Sequence, residues 1–242
     1  MRKLLIVALA ALTSIALASV AIAQSPDITQ TLTLSPSGAG TKSKPRATKL
    51  KTRITNNLPG TTAEFIEILF PSTVKLSTRG LTACPVAEFL KPGGKANCKS
   101  ASKAGSGEAN ALTGPQRVPV RFAVTAYVGG PNLVVFYIEQ GGIKRALRGT
   151  ISRTSGKFRQ KLSIEIPDDL QQTAGNYSSL VNLESTLFNK KGKNSLVSST
   201  GCKRKKQTLG SRLVLVDNPG PPPKLSATGS ATAGPSPFLG LD

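Results

Sequence analysis

Apolar and polar residues alternate along most of this chain. In Thr48-Lys49-Leu50-Lys51-Thr52-Arg53-Ile54, Leu50, Thr52 and Ile54 fall on one face and Lys49, Lys51 and Arg53 on the other. Val118, Val120, Phe122 and Val124 alternate with Pro119, Arg121 and Ala123, and residues 158–166 repeat the pattern. A period of two with one apolar face predicts half-buried antiparallel strands. Leu133-Val134-Val135-Phe136-Tyr137-Ile138 is continuously apolar, which predicts a strand covered on both faces. Further strands are expected over residues 28–34, 65–70, 106–112, 143–151, 180–188 and 213–216. Turn clusters separate them: Asn56-Asn57-Leu58-Pro59-Gly60, Gly129-Gly130-Pro131-Asn132, Gln140-Gly141-Gly142 and Asn189-Lys190-Lys191-Gly192. About nine or ten short strands at this spacing predict an all-β fold, an antiparallel β-sandwich. Only residues 86–91 read as helix, one or two turns long.

The two ends depart from this pattern. Arg2-Lys3, an apolar stretch over residues 4–20 and the small-residue step Ala21-Ile22-Ala23 predict a cleaved secretory signal peptide at 1–23. The alternative is an uncleaved leader acting as a membrane anchor, since twenty apolar residues suffice to span a bilayer. Residues 24–47 read as an N-terminal strand and a flexible loop, and 48–217 as the β-sandwich domain. Residues 218–242, opening on Asn218-Pro219-Gly220-Pro221-Pro222-Pro223, read as a disordered Pro/Gly/Ala-rich tail without the apolar content to bury a core. Gly114-Pro115 is a candidate hinge, but one domain is the favoured organisation. No transmembrane segment is expected once the leader is removed.

Composition narrows the chemistry. The 242 residues contain no His and no Trp, so His-based triads, His metal sites and Trp sugar platforms are ruled out. Three Cys cannot make a four-thiolate zinc site. In an oxidising compartment two of them should pair. Cys84 and Cys98 close a short loop and are the favoured disulfide; pairing of Cys202 with either remains the alternative.

The net charge of +20 from 32 Lys+Arg against 12 Asp+Glu attracts polyanions. The basic residues form three runs: Lys42 to Arg53, Lys144 to Lys161, and Lys203-Arg204-Lys205-Lys206. Lys49, Lys51 and Arg53, on the polar face of one strand, are the candidate polyanion contacts, with acidic cell-envelope polymers or other polyanions, such as anionic lipid headgroups and nucleic acid, as the expected partners. The opposing reading is a solvated basic surface that keeps edge strands apart.

Other motifs carry little. Ser72-Thr73-Val74-Lys75 and Ser100-Ala101-Ser102-Lys103 match Ser-x-x-Lys, but the companion Ser-Asp-Asn and Lys-Thr-Gly elements are missing. No phosphate-binding glycine loop is present. Glu64, Glu67, Glu108, Glu139 and Glu165 are the carboxylates that a glycosidase would draw on, and Glu64 and Glu67 have the odd spacing that separates them on a strand. Asp168-Asp169 reads as a polar loop rather than a calcium site. Gly105 and Gly107 suit a bulge or tight strand entry.

Phe70-Pro71, Cys84, Cys98, Gly105-Ser106-Gly107-Glu108-Ala109, Ile166-Pro167 and Gly201-Cys202 together make a recognisable pattern. It resembles a group of uncharacterised secreted actinobacterial proteins in which a strand ends in Phe-Pro and two Cys precede Gly-Ser-Gly-x-Ala. The resemblance implies export and a β-rich fold and brings no activity. Lys203-Arg204-Lys205-Lys206 stands where that pattern has a more aromatic last strand.

The sequence therefore leads to a secreted, non-enzymatic β-rich protein, extracellular or envelope-associated. A binding module for acidic polymers is the alternative, and a hydrolase is the least supported class. It indicates no catalytic, cofactor-binding or metal-binding residue, no cofactor and no small-molecule substrate.

Overall fold

The computed structural model describes residues 27–36, 40–58, 60–173, 176–201, 207–217 and 224–233. The expected leader, Cys202 and the basic run at 203–206 lie outside them. In chain order, β1 (Ile28–Ser35), β2 (Arg46–Ala47), β3 (Lys49–Asn56), β4 (Thr61–Phe70) and β5 (Val74–Leu76) come first. Helix α1 (Val86–Leu90) and two 3-10 segments (Gly94–Asn97, Ser100–Ser102) follow. Then come β6 (Lys103–Thr113), β7 (Val118–Gly130), β8 (Leu133–Gln140), β9 (Ile143–Arg153) and β10 (Gln160–Glu165). Helix α2 (Asp168–Gln171), β11 (Gln172–Thr173) and β12 (Asn176–Tyr177) lead into β13 (Ser179–Leu187). The described elements end with β14 (Lys190–Lys191), β15 (Asn194–Ser195), β16 (Val197–Ser199), β17 (Gln207–Asp217) and β18 (Lys224–Ala233).

Eleven strands join in one antiparallel sheet, in the order β1-β3-β13-β6-β7-β8-β9-β10-β4-β17-β18. The sheet curls until its edge strands β1 and β18 come together, giving a near-closed barrel. The all-β antiparallel fold is thus present. Its two inner faces meet across one core as in a sandwich, but they remain continuous through strand pairing. Gly114-Pro115 is the turn between β6 and β7, two neighbours in the same sheet, rather than a hinge between domains.

Alternation sets which side chains meet inside. On β3, Leu50, Thr52 and Ile54 are buried while Lys49, Lys51 and Arg53 are exposed. Leu32 and Leu34 from β1, Ile68 and Phe70 from β4, Leu162 from β10, Leu187 from β13 and Leu209 and Leu213 from β17 join the same cluster. Each such side chain contributes roughly 1.5–3 kcal/mol when fully withdrawn from water. The small β2-β16-β5 sheet closes this end of the barrel, adding Val74, Leu76 and Val197.

Two glycines tighten the curl. A Cβ on Gly105 would lie 2.0 Å from the Thr186 carbonyl oxygen, and one on Gly107 2.0 Å from that of Glu184. Only a residue without a side chain lets β13 approach β6 so closely. The register also slips between Lys103 and Gly105, the bulge expected there.

The apolar run of β8 is covered on both sides. Val134, Phe136 and Ile138 face the barrel interior, while Val135 and Tyr137 lie under α1 on the outside. There Phe89 packs on Tyr127 and Tyr137, with ring centroids 5.2 and 5.4 Å away. The Cys84–Cys98 disulfide ties this outer layer down, with Cα atoms 5.4 Å apart.

The N-terminal segment is more than a flank, because β1 pairs with β3 along its full length. Within the segment expected to form a tail, 224–233 makes β18, paired with β17 from Val216↔Lys224 to Gln207↔Ala233. Strand addition of this kind uses backbone hydrogen bonds and needs little apolar content.

Candidate functional site: a cavity at one end of the barrel

The two ends of the barrel are built differently. At the end closed by the small sheet, large aliphatic side chains fill the interior. At the other end lie the β3–β4, β6–β7 and β8–β9 turns and the segment carrying α2. Here a cavity of about 290 Å³ remains open. Its walls come from β4 (Ala63, Ile66), β6 (Ala109, Ala111), β7 (Val120, Phe122, Val124), β8 (Phe136, Ile138), β9 (Ile143, Leu147), β10 (Ile164) and β13 (Leu180, Leu183), with Ile166 and Leu170 beside them.

The inner face of β6 explains the space. Its inward positions are Ala109 and Ala111, opposite Phe122 and Val120 on β7. Small side chains on this strand leave space inside that the neighbouring Phe122 and Val120 on the same wall do not take up, so a cavity remains.

The polar residues of the lining all sit at the rim. They are Thr62 near the start of β4, Thr113 and Gln140 at the ends of β6 and β8, Gln171 at the end of α2, and Ser178 just before β13. Thr62 Oγ1 donates to the Ser178 carbonyl oxygen at 2.8 Å, and Gln171 Nε2 to the Ile166 carbonyl oxygen at 2.6 Å. The Ser178 hydroxyl is buried with no hydrogen-bond partner among the described residues, although the residue is only 7% exposed. A buried hydroxyl without a partner is uncommon and leaves hydrogen-bonding capacity beside the cavity.

Register places Arg145 at the same rim: it pairs with Ile138 across β8 and β9 and alternates with Ile143 and Leu147, all three of which line the cavity, while Arg145 itself is exposed beside the lining. Its Nε donates to Asp169 Oδ2 and its Nη1 to the Lys144 carbonyl oxygen, at 2.5 and 2.9 Å. Asp169 belongs to α2, whose Leu170 and Gln171 line the cavity.

Three of the carboxylates that a hydrolase would draw on, Glu67, Glu108 and Glu139, pair with cations away from the cavity. Glu67 sits on the outer face of β4, 4% exposed, 2.6 Å from Lys161 Nζ and 2.7 Å from Arg212 Nη2. Burial alone would raise its pKa, but the Lys161 hydrogen bond and the Arg212 charge outweigh it and hold the carboxyl below its ordinary value. Glu108 and Glu184 are direct cross-strand neighbours outside the barrel, flanked by Arg121 and Arg53 respectively. Glu139 pairs with Lys95, whose pKa that hydrogen bond raises. Among the described residues no group of three or more His, Cys, Asp or Glu is placed to hold a metal ion. Ser72 lies in the turn after β4, and Ser100 opens the short 3-10 segment Ser100–Ser102 rather than an α-helix.

The candidate polyanion contacts lie where alternation puts them, Lys49, Lys51 and Arg53 all pointing outward from β3. Arg53 Nε is 3.2 Å from Glu184 Oε1, so part of that charge is already neutralised. The sequence reading did not find the cavity. Its available signal was the Gly-Ser-Gly-Glu-Ala-Asn-Ala alternation of 105–111, a strand whose apolar face is all small residues.

Comparison of the chain with protein-family models, curated proteins and solved structures finds no match to any of them.

Proposed function

We propose that this chain is an exported, non-enzymatic β-barrel protein that holds a small apolar molecule in one end of its barrel. One observation carries the reading: an apolar-walled space of about 290 Å³ at one end, with large buried aliphatic side chains gathered at the other. Concave apolar sites with a few polar groups at the edge are the usual form of small-molecule pockets, and the mouths of β-barrels are a common place for them. At protein packing density this volume suits a guest of about ten to a dozen carbon atoms. The lack of His and the pairing of Glu67, Glu108 and Glu139 with cations outside the barrel support a binding role over hydrolysis. The basic start, apolar run and Ala21-Ile22-Ala23 step support export, as does the disulfide.

The test is titration with a neutral fluorescent hydrophobe of matching size, 1-aminonaphthalene. Saturable enhancement at one site is expected, and it should be lost in Ala111→Phe, which fills the cavity while the thermal transition persists. Absence of saturable binding to the wild-type protein overturns the reading. Export is checked by sequencing the extracellular protein, which should begin at Gln24.

A second reading, attraction of acidic polymers to the outer surface, is supported by the exposed row Lys49 and Lys51 and by the net charge. It involves the opposite face of the sheet and is compatible with a guest inside.

A further inference from the structure

The cavity is amphipathic along its length. Its depth is aliphatic and aromatic, and its polar residues are confined to the rim that also bears Arg145. We propose that the guest is a single-chain amphiphile with a carboxylate head, a medium-chain fatty acid, whose tail fills the cavity and whose head is taken by Arg145 in place of Asp169. This rests on the cavity being a ligand site, as proposed above.

Three features point to a carboxylate rather than a neutral head. First, Arg145 sits at a cavity-facing position, opposite Ile138 and between Ile143 and Leu147, where alternation would otherwise place an apolar residue. Second, its present partner is already a carboxylate, so the site has the geometry for one. A guanidinium has five N–H donors in a planar fork, and among the described residues only Nε and Nη1 are engaged. Third, the internal pair is weak enough to exchange. The Arg145 and Asp169 side chains are 49% and 46% exposed, and an ion pair this open to water contributes little. A guest carboxylate whose tail is buried gains the apolar transfer energy in addition, while Asp169 returns to water at little cost. The Ser178 hydroxyl, without a partner among the described residues, supplies a further polar atom at the same rim. Asp169 thus serves as a stand-in anion that keeps Arg145 paired when the cavity holds no guest.

The experiment measures displacement of 1-aminonaphthalene from the full protein by decanoate and by decanol, at a pH where the acid is ionised. Decanoate should bind about tenfold more tightly than decanol, as expected for one charge-assisted pair. Arg145→Gln should abolish that preference while leaving decanol affinity within about twofold. Asp169→Asn, which removes the competing anion, should tighten decanoate by about threefold and leave decanol unchanged. Both positions are exposed, so folding is preserved, and probe binding reports that directly. If decanol and decanoate bind equally to the wild-type protein, or if Arg145→Gln keeps the preference, the head-group assignment is wrong while the cavity reading stands. If the probe binds nowhere, both fall.

Discussion

Gly149 of β9 lies directly beneath the ring of Phe136 on β8, so close that a Cβ at position 149 would stand 2.6 Å from Phe136 Cε2. Leu162 Cδ1 and the Val134 carbonyl oxygen, each 3.1 Å away, close the other sides. Phe136 is also part of the cavity wall, so Gly149 sets how far that wall reaches into the barrel. Gly149→Ala should therefore do two things. It should destabilise the fold by about 1–3 kcal/mol, the usual cost of overpacking a filled core. It should also push the Phe136 ring toward the cavity and weaken binding of a hydrophobic probe. Denaturant unfolding and probe titration on the same variant read both effects; unchanged stability would mean that β8 and β9 separate freely.

Glu67 predicts an acid-sensitive seam across β10, β4 and β17. Its folded-state pKa is held down, so the stabilisation is present above the ordinary carboxylate value and is lost as pH falls through the lower folded value. Glu67→Gln should cost about 1–3 kcal/mol near neutral pH, because Lys161 and Arg212 lose a charge-assisted partner. Both cations are partly exposed and can turn to water, which keeps the loss below that of a fully buried pair. The gap between wild-type and variant melting temperatures should narrow below about pH 4. A gap constant from neutral pH into acid would show that Glu67 carries no charge in the fold.

How much of this was legible beforehand follows from which forces are local. Strand positions such as Lys49–Asn56 and Leu133–Gln140 follow from period-two alternation, which is written residue by residue. The Cys84–Cys98 pair follows from the short loop it closes. Curl is a different matter. It depends on Gly105 and Gly107 meeting β13, about eighty residues away in sequence, and on one continuous pairing order that no single strand encodes. The cavity is a difference between volumes contributed by seven strands, so Ala109 and Ala111 announce it only once their opposite numbers are known. Strand β18 was hidden for the opposite reason, since its Ser, Thr, Gly and Ala residues carry little apolar periodicity and it adds to β17 through the backbone.

The disulfide layer can be read through the tyrosines, because the chain has three Tyr and no Trp to mask them. Burial raises the pKa of Tyr127 and Tyr137, the two that lie under Phe89. A spectrophotometric titration should show two phenols ionising above the ordinary range. Reduction, or Cys84→Ala with Cys98→Ala, frees the covering loop and should cost about 3 kcal/mol by loop-closure entropy. It should also move those two ionisations down toward ordinary values as water reaches the rings. Raised values that persist after reduction would show that α1 stays docked without its covalent tie.

Outside the barrel, Lys49 and Lys51 should act as free cations and Arg53 as a partly cancelled one, since Arg53 already pairs with Glu184. Binding to a polyanion such as heparin or duplex DNA should be diffuse, because the basic residues are spread over separate segments. The affinity of a diffuse electrostatic complex falls steeply with salt, each neutralised phosphate contributing about 0.9 to the slope of log affinity against log salt. Lys49→Gln with Lys51→Gln should therefore flatten that slope on DNA by about two without altering the melting temperature, as both side chains stand in water. Adding Arg53→Gln should change the slope less than either lysine does, because a guanidinium already paired with Glu184 is less available to a phosphate. The measurement is a titration on DNA and on an acidic wall polymer at low and high salt. An Arg53 effect larger than that of the lysines, or tight binding to one polymer that survives high salt, would reveal a dedicated site and refute the diffuse picture.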